Sequence, residues 1–385
     1  LIAMTGADEL NLLCSMTAHG INPNIHTIAR ICNPDYTDQV YKMQKTFALS
    51  LTVNPEKQAA IEIERLLKFP GFLKRDSFAK GRVEIVELRV DERSRLCNVA
   101  LSELNRVIKC RVLVCAVLRR GDVVAPDGSF VLREGDRIFV TASTESLATL
   151  LDNLGIITKK VNHVMICGGG RVSYYLAQQL EKDGMTVRLI EKDPKHCEEL
   201  AALLPKTEII NDDASNTFVL KRENIESCDA LVTATGMDEL NMIISLYGTK
   251  HGVSQVITKL GHMENGSMID QLPIGSTIWP KDLCCNGIVR YIRAMHNQTG
   301  AAVSVHSIAD GKAEAIEFHV EEKKPYCDKP LKNMKVKQNI LVACITHGGV
   351  TELPGGDSVI REGDTVVVVT TRNDIIYKLD DIFEA

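Results

Sequence analysis

The sequence contains few aromatic residues, about 5%, and a single tryptophan. Single-stranded nucleic acids are commonly held by stacking on aromatic rings, so no such platform is indicated. The formal net charge of -5 gives no basic footprint for duplex DNA or RNA. No apolar stretch approaches the roughly 20 residues that span a bilayer. The 385 residues, 45% of them hydrophobic and 25% charged, are typical of a globular protein with more than one domain.

Common cysteine and active-site motifs are also missing. The twelve cysteines include no C-x-x-C pair, and Cys115, Cys167 and Cys344 lie in apolar runs where cysteine behaves as a small hydrophobic residue. We therefore expect structural cysteines in a reducing cytosol. The sequence has no G-x-S-x-G, H-E-x-x-H or G-x-x-x-x-G-K-[ST] motif, and its histidines are scattered. It predicts no catalytic residue and no metal site.

What the chain does contain is a repeat. TGADELN at 5–11 returns as TGMDELN at 235–241, and LREGD at 132–136 returns as IREGD at 360–364. Two motifs that share nearly one offset indicate a duplicated unit. Residues 161–234 precede the motif in the second copy, whereas only residues 1–4 precede it in the first. We therefore expect that the opening half of the first unit is absent from this sequence.

The pattern of apolar residues predicts the fold class. Short apolar runs alternate with amphipathic helical segments through residues 161–260, which is typical of a parallel, doubly wound sheet of the Rossmann type. Beyond Trp279 the pattern changes to one helix and several strands around turns, which predicts a small α+β domain. The expected fold is therefore α/β, with two Rossmann-type units, each followed by a small α+β domain.

The first copy follows the same scheme in shortened form. We expect a partial first Rossmann domain at 1–54, a crossover helix at 55–76 and a small domain at 77–153. In the second copy we expect the Rossmann domain at 161–279, the crossover helix at 280–300 and the small domain at 301–385.

A glycine-rich turn stands between the first strand and the first helix of the second copy. The sequence GGGRVS at 168–173 could bring a pyrophosphate close to the backbone, at the positive end of the helix dipole. The usual fingerprint, G-x-G-x-x-G, has glycine where Ser173 stands, so the helix could be displaced slightly from the sheet. The alternative is a glycine turn that packs but binds nothing.

Two charged residues accompany this turn. Glu191 is predicted to end the second strand, where an acid can bond ribose hydroxyls and repel a 2′-phosphate, which favours NAD(H) or an adenine nucleotide over NADP. Arg171 could reach a phosphate in a bidentate manner. The alternatives are a solvated carboxylate and a solvent-facing guanidinium.

The repeated motif is expected at the carboxyl ends of strands, where ligands bind in open α/β sheets. Thr5-Gly6 and Thr235-Gly236 are predicted to end the fourth strand of each unit. Arg30 and Lys259 are predicted to end the fifth strand, where a cation could contact a phosphate or an acidic neighbour across an interface. The alternative is an ordinary surface salt bridge. We expect Asp8 and Asp238 to cap the helices that follow.

The order of these features resembles RCK domains, the regulator-of-potassium-conductance or KTN modules. It comprises the glycine turn, the acidic strand end, NDDAS at 211–215, the T-G-x-D-E-L-N motif, a crossover helix and an R-E-G-D hairpin. The resemblance covers the whole chain. It implies a regulatory protein rather than an enzyme, binding NAD(H) or ATP/ADP, and a homo-oligomeric ring built as a tetramer of tandem chains.

The resemblance also implies a partner and a location. The ring would sit in the cytoplasm, peripheral on the inner face of the membrane. It would dock there on a potassium-transport subunit of the TrkH or TrkG type and change its gate through a nucleotide-dependent rearrangement. No nucleic-acid partner is expected. The alternatives are an NAD-dependent oxidoreductase and an RCK regulator of another cation transporter or antiporter.

By resemblance, nucleotide contacts can be assigned in both units. The candidates are Thr5, Gly6 and Arg30 in the first unit and Gly168, Gly169, Gly170, Arg171, Val172, Glu191, Asp213, Thr235, Gly236 and Lys259 in the second. This chain departs from the family pattern at Ser173 and where Asp212-Asp213-Ala214 replaces the usual G-D-A.

Overall fold

The computed structural model describes residues 1–68, 72–78, 82–91, 94–154, 160–261, 269, 272–295, 302–371 and 376–384. The chain forms two compact units, and each unit takes a part from both copies of the repeat. One unit comprises Leu1–Lys68 and Lys160–Tyr291, and the other comprises Phe69–Lys159 and Ile292–Ala385. Within the described ranges, no helix has both the length and the apolar character needed to cross a bilayer.

The first copy opens with a small parallel sheet. Its strands are β1 (Ile2–Ala3), β2 (Ile28–Arg30) and β3 (Leu51–Val53), paired in that order, and its helices are α1 (Asp8–Ile21), α2 (Pro34–Lys42) and α3 (Pro55–Lys68). Helix α2 and strand β3 were not predicted from the sequence. The start of α2 does carry a signal, because the Asn33 side chain accepts a hydrogen bond from the Asp35 amide and Pro34 occupies the first turn.

The small domain of the first copy is a five-stranded antiparallel sheet with two helices. Its elements are β4 (Lys74–Phe78), β5 (Val83–Arg89), α4 (Leu104–Ile108), β6 (Leu113–Arg119), β7 (Asp122–Val124), β8 (Arg137–Ala142) and α5 (Thr144–Leu154). The strand order is β4-β5-β8-β6-β7. Apolar side chains of β5 and α5, among them Val86, Leu88 and Leu147, share one core.

The second copy contributes a six-stranded parallel sheet. Its elements are β9 (His163–Cys167), α6 (Arg171–Lys182), β10 (Thr186–Glu191), α7 (Pro194–Leu203), β11 (Glu208–Asn211), α8 (Thr217–Arg222), β12 (Ala230–Thr233), α9 (Asp238–Lys250), β13 (Gln255–Lys259), β14 (Ser276–Ile278) and α10 (Pro280–Met295). The strand order is β11-β10-β9-β12-β13-β14. The order reverses between β9 and β12, as in Rossmann folds, so the fold-class prediction is confirmed.

Both copies of the repeat contribute side chains to the core of the compact unit formed by residues 1–68 and 160–291. Ile63 and Leu66 of α3 pack with Val172 and Leu176 of α6. Polar contacts close the same boundary, because the Tyr175 hydroxyl donates to the Cys32 carbonyl at 3.0 Å and the Gln255 amide donates to the Leu66 carbonyl at 2.7 Å. Helix α6, which begins at the glycine turn, therefore rests directly on the first copy.

The predicted crossover segments, 55–76 and 280–300, begin with helices α3 and α10. Residues 69–71 and 296–300 of these segments lie outside the described residues.

The second small domain repeats the strand order of the first. Its strands are β15 (Ala302–Ile308), β16 (Ala313–His319), β17 (Ile340–His347), β18 (Val350–Glu352) and β19 (Thr365–Thr370), in the order β15-β16-β19-β17-β18. The two small domains join through a shared core in which Phe78 and Phe139 pack with Ala315 and Val367.

The repeated R-E-G-D motif is explained by a buried aspartate. Asp136 accepts from the Arg133 amide in its own turn and forms two 2.7 Å bonds with the Arg119 guanidinium of β6. Asp364 accepts from the Arg361 amide and lies 2.7 Å from Nδ1 of His347 on β17. Each carboxylate closes its turn and ties it to a neighbouring strand.

We predict that Asp364→Ala destabilises the compact unit that holds the two small domains by about 2–3 kcal/mol, because the Arg361 amide and the His347 imidazole lose their buried acceptor. The midpoint of denaturant-induced unfolding measures this. The matched control is Asp357→Ala in the same domain, where an aspartate with an 86% exposed side chain pairs with Lys332. The control should change stability by less than about 0.5 kcal/mol. Equal effects of the two changes would contradict the structural role of Asp364.

Candidate nucleotide-binding site

The glycine turn lies between β9 and α6, where the strand order reverses. Gly168 has a φ of 98°. A Cβ there would lie 2.8 Å from the Thr235 Cα, so the backbone after β12 excludes any side chain. Gly170 precedes the first residue of α6 and faces open space, with nothing within 4 Å of a Cβ placed on it. One glycine is therefore required by the fold, and the other keeps the helix N-terminus accessible.

Glu191 lies at the end of β10, as predicted, and contacts the turn. Its Oε2 accepts from the Gly169 amide at 2.7 Å and its Oε1 accepts from the Asp193 amide at 2.9 Å. A Cβ on Gly169 would lie 3.0 Å from the same carboxylate and 2.7 Å from Leu200 Cδ1. The acid is thus held next to the turn by backbone amides rather than by a salt bridge.

His196 on α7 also contacts the backbone of Gly169. This histidine was not singled out from the sequence. Its Nε2 lies 2.9 Å from the Gly169 carbonyl oxygen, and its Nδ1 lies 3.0 Å from Glu199 Oε2. Its position could have indicated this role, because it lies five residues after Glu191 and in the first turn of the next helix.

The T-G-x-D-E-L-N motif is held by a buried asparagine that recurs in both copies. Asn241 accepts from the Thr235 amide at 2.9 Å and from the Thr235 hydroxyl at 2.7 Å, and its amide nitrogen donates to the Lys259 carbonyl at 2.9 Å. Asn11 makes the same bonds to Thr5 and to the Arg30 carbonyl. The asparagine therefore joins the ends of two neighbouring strands.

The threonines and glycines of the motif were predicted to end the fourth strand of each copy. In the structure they lie beyond the strands. Thr5-Gly6 follows β1, which ends at Ala3, and Thr235-Gly236 follows β12, which ends at Thr233. The chain leaves the sheet there because the threonine amide bonds to the asparagine instead of to a neighbouring strand.

The capping prediction for Asp8 and Asp238 was wrong. The residues that precede α1 and α9 are Ala7 and Met237, without a side-chain cap. Asp8 instead accepts from the Cys32 and Asn33 amides at 2.7 and 2.8 Å, and Asp238 accepts from the Gly261 amide at 2.9 Å. Each aspartate is already inside its helix, where its carboxylate reaches the backbone that follows the next strand.

Arg30 and Lys259 end β2 and β13, as predicted, and their cations bind protein groups. Arg30 Nη2 lies 2.9 Å from Glu56 Oε1. Lys259 Nζ donates to the Thr235 carbonyl at 2.8 Å, and burial lowers the pKa of Lys259. The Arg30–Glu56 ion pair lies within this chain, so it corresponds to the salt-bridge alternative and not to an acidic neighbour across an interface.

The other predicted contacts differ in character. Arg171 is the first residue of α6 and exposed, and its guanidinium makes no hydrogen bond or ion pair with another described residue. Val172 is buried in the core. Asp213 is exposed, and hydrogen bonds from the Ser215 backbone amide and from the Ser215 side chain lower its pKa. Ser173 is buried, and its hydroxyl has no hydrogen-bond partner in the described structure.

The structure thus brings the glycine turn together with Glu191 and Thr235. Asp213 adjoins this group, because the amide of Asp212 donates to the Glu191 carbonyl at 3.0 Å. In the first sheet, Thr5 and Gly6 follow strand β1 and Arg30 ends strand β2.

The cysteines and acids give no sign of metal chemistry in the described ranges. All twelve cysteines are free thiols. Burial raises the pKa of Cys167 and of Cys32 to about 12, so both thiols remain protonated at neutral pH. Among the described residues, no three His, Cys, Asp or Glu side chains are arranged to hold an ion.

Comparison with protein families accounts for nearly the whole architecture. The TrkA-N domain model matches residues 1–51 and 164–280, and the TrkA-C domain model matches residues 85–155 and 315–383. The chain belongs to the TrkA family.

Relatives of the same family align over nearly the full chain. The Trk system potassium uptake protein TrkA homolog 1 of Methanosarcina mazei is 29% identical over 375 residues, covering 96% of this chain and 82% of that protein. The Trk system potassium uptake protein TrkA of Haemophilus influenzae is 26% identical over 392 residues, covering 100% of this chain and 84% of that protein. These relatives confirm the tandem RCK resemblance.

Solved structures support the TrkA fold. The GsuK RCK domain matches with a TM-score of 0.58 at 14% identity, covering 96% of this chain and 77% of that one. The GsuK channel bound to NAD matches with a TM-score of 0.55 at 14% identity, covering 96% of this chain and 64% of that one. Both likenesses concern the fold alone.

Gly168→Ala, in the second TrkA-N segment, should destabilise the compact unit formed by residues 1–68 and 160–291 by about 3 kcal/mol, because alanine brings both a strained φ and a clash with the Thr235 backbone. The unfolding midpoint measures this. Gly236→Ala is the matched control, since Gly236 lies in the same cleft with nothing within 4 Å of an added Cβ. The account of the turn fails if Gly168→Ala unfolds at the same midpoint as the control.

Proposed function

We propose that this chain is a nucleotide-binding regulatory subunit of a potassium uptake system. It would bind NAD(H) at the glycine turn of its second TrkA-N segment. Through a rearrangement of an oligomeric ring, a tetramer in our proposal, it would change the gate of a membrane subunit of the TrkH or TrkG type. The relatives named as potassium uptake proteins support the system, and the turn geometry supports the ligand.

The observation that carries the proposal is the accessible amino end of α6. Its first amides have no partner within the helix and its dipole favours negative charge. Gly170 leaves the space in front of these amides open, and Arg171 adds an exposed guanidinium at the same end. A pyrophosphate fits this combination of open backbone, dipole and cation.

Glu191 suggests which nucleotide binds. A carboxylate at the end of the second strand can accept hydrogen bonds from ribose hydroxyls, whereas a 2′-phosphate would bring like charges together. Glu191 is positioned beside the turn by two backbone amides. This favours NAD(H) over NADP(H), and ATP and ADP are the competing ligands. A structure of similar fold is the GsuK channel bound to NAD.

The proposed contacts are the thirteen candidates drawn from the sequence. Thr235, Gly236, Lys259 and Asp213 would line the cleft around the turn, and Thr5, Gly6 and Arg30 would serve the first copy. The proposed domain limits also stand as given above. The role is regulatory rather than catalytic, and the location is the cytoplasmic face of the membrane.

The structure suggests how binding could be transmitted. Helix α6 begins at the turn and packs on α3 of the first copy. A ligand can change the state of the assembly only by its difference in affinity for two arrangements, so a contact at the start of α6 is a suitable place for that difference.

Calorimetry with NADH, NAD, ATP and ADP on the full chain tests ligand binding. Potassium flux through the reconstituted transport subunit, with and without the tightest ligand, tests regulation. We expect binding of at least one nucleotide and a ligand-dependent flux. Absence of binding by all four would end the proposal, and co-purification with a different cation transporter would favour the alternative partner.

Gly170→Ala should leave folding unchanged but weaken NADH binding about tenfold or more, because the added methyl faces the open space needed for close approach of the pyrophosphate. Calorimetry gives the affinity and thermal unfolding gives the stability. Gly184→Ala is not a suitable control, because Gly184 has a φ of 76°. Gly20→Ala serves instead, since nothing lies within 4 Å of its added Cβ. Unchanged NADH affinity in Gly170→Ala would contradict the placement of the ligand.

We also predict that wild-type protein binds NADPH more weakly than NADH, and that Glu191→Gln narrows this difference about tenfold. Glutamine removes the charge and keeps one oxygen that can accept from the Gly169 amide, but it gives up the acceptor that Glu191 offers to the Asp193 amide. Competition titrations measure both ligands. Glu226→Gln, an exposed acid after α8, is the control and should keep the wild-type preference. If Glu191→Gln prefers NADH over NADPH as strongly as the control does, Glu191 does not recognise the ribose.

A further inference from the structure

The imidazole of His196 has a hydrogen-bond acceptor at each ring nitrogen. Nε2 faces the Gly169 carbonyl oxygen at 2.9 Å and Nδ1 faces Glu199 Oε2 at 3.0 Å. A neutral imidazole carries one N–H, so it can serve only one of these acceptors and turns a lone pair towards the other. The imidazolium donates to both. The observed geometry therefore fits the charged form.

The charges around the ring point in the same direction. Glu199 faces it from its own helix and Glu191 from the end of β10, while the glycine turn offers a carbonyl oxygen. The hydrogen bond with Glu199 raises the pKa of His196, burial opposes this, and the Gly169 carbonyl and the Glu191 charge add to the increase. A cation in the first turn of α7 also meets the unfavourable end of the helix dipole.

The Gly169 peptide is held on both sides by this arrangement. Glu191 accepts from its amide at 2.7 Å, and His196 binds the Gly169 carbonyl. Gly170 and the start of α6 follow directly. The orientation of this peptide therefore depends on two titratable side chains from β10 and α7.

We propose that His196, as the imidazolium, is a positioning residue of the nucleotide site: it fixes the glycine turn and adds positive charge beside the ligand, so that its deprotonation weakens binding. This inference rests on the proposed function, and it means that proton concentration regulates binding at the same site.

The sign of the pH dependence follows from the raised pKa. Below the ordinary histidine pKa of about 6.5 the ring is charged in the free and the bound protein, so affinity is constant. An anionic ligand stabilises the charged ring further, so affinity falls as pH rises through the range above that value. The effect is a loss of nucleotide at alkaline pH.

The test is NADH affinity by calorimetry between about pH 6 and about pH 9, a range in which the pyrophosphate of NADH keeps its charge. Wild-type affinity should fall about five- to tenfold across this range. His196→Gln should remove the dependence, because the glutamine amide can still donate to the Gly169 carbonyl but does not titrate. Glu199→Gln should move the decline to lower pH, since the ring loses its strongest partner.

His163→Gln is the matched control, because His163 is exposed at the opposite end of β9. It should keep the wild-type profile. A wild-type affinity that is independent of pH, or a His196→Gln variant that retains the wild-type decline, overturns the positioning role while leaving the proposed function intact. Failure of wild type to bind NADH, NAD, ATP or ADP at every pH overturns both. Thermal unfolding of His196→Gln and Glu199→Gln confirms that each variant is folded.

Discussion

The buried asparagine of the repeated motif is the interaction on which the site depends. Asn241 bonds to Thr235 and to the Lys259 carbonyl, so it joins the ends of β12 and β13 and fixes the backbone that passes Gly168. A buried amide with all its partners is costly to disturb. The close approach of that backbone makes glycine necessary at 168, and this in turn sets the position of α6.

The two copies have the same asparagine hydrogen bonds, but the charged residues around them make different contacts. Asn11 reproduces the bonds of Asn241, and Asp8 and Asp238 both bind backbone amides beyond the next strand. Yet Arg30 pairs with Glu56, whereas Lys259 turns to the Thr235 carbonyl. The repeat therefore preserves the scaffold of the strand ends, and the charges placed on that scaffold differ. The same holds for the small domains, where Arg119 and His347 occupy corresponding places beside the buried aspartate.

Much of this could be predicted from the sequence, since the repeat and the alternation of apolar runs with helices show the Rossmann order and the small domains. Glu191, Arg30 and Lys259 lie at strand ends as expected. The role of Asp8 could not be predicted from the sequence. An aspartate at the start of a helix is expected both when it caps that helix and when it accepts hydrogen bonds from residues 32 and 33. His196 escaped notice because its contact with Gly169 depends on how α7 folds back, and β3 is too short to show periodicity.

The central claim is that nucleotide binds at the amino end of α6, and hydrogen–deuterium exchange locates it most directly. On addition of saturating NADH, amides at 168–172, together with those at 191–193 beside them, should exchange more slowly, because the ligand would cover and order this backbone. Slower exchange confined to the small domains, with the turn unchanged, would contradict the account.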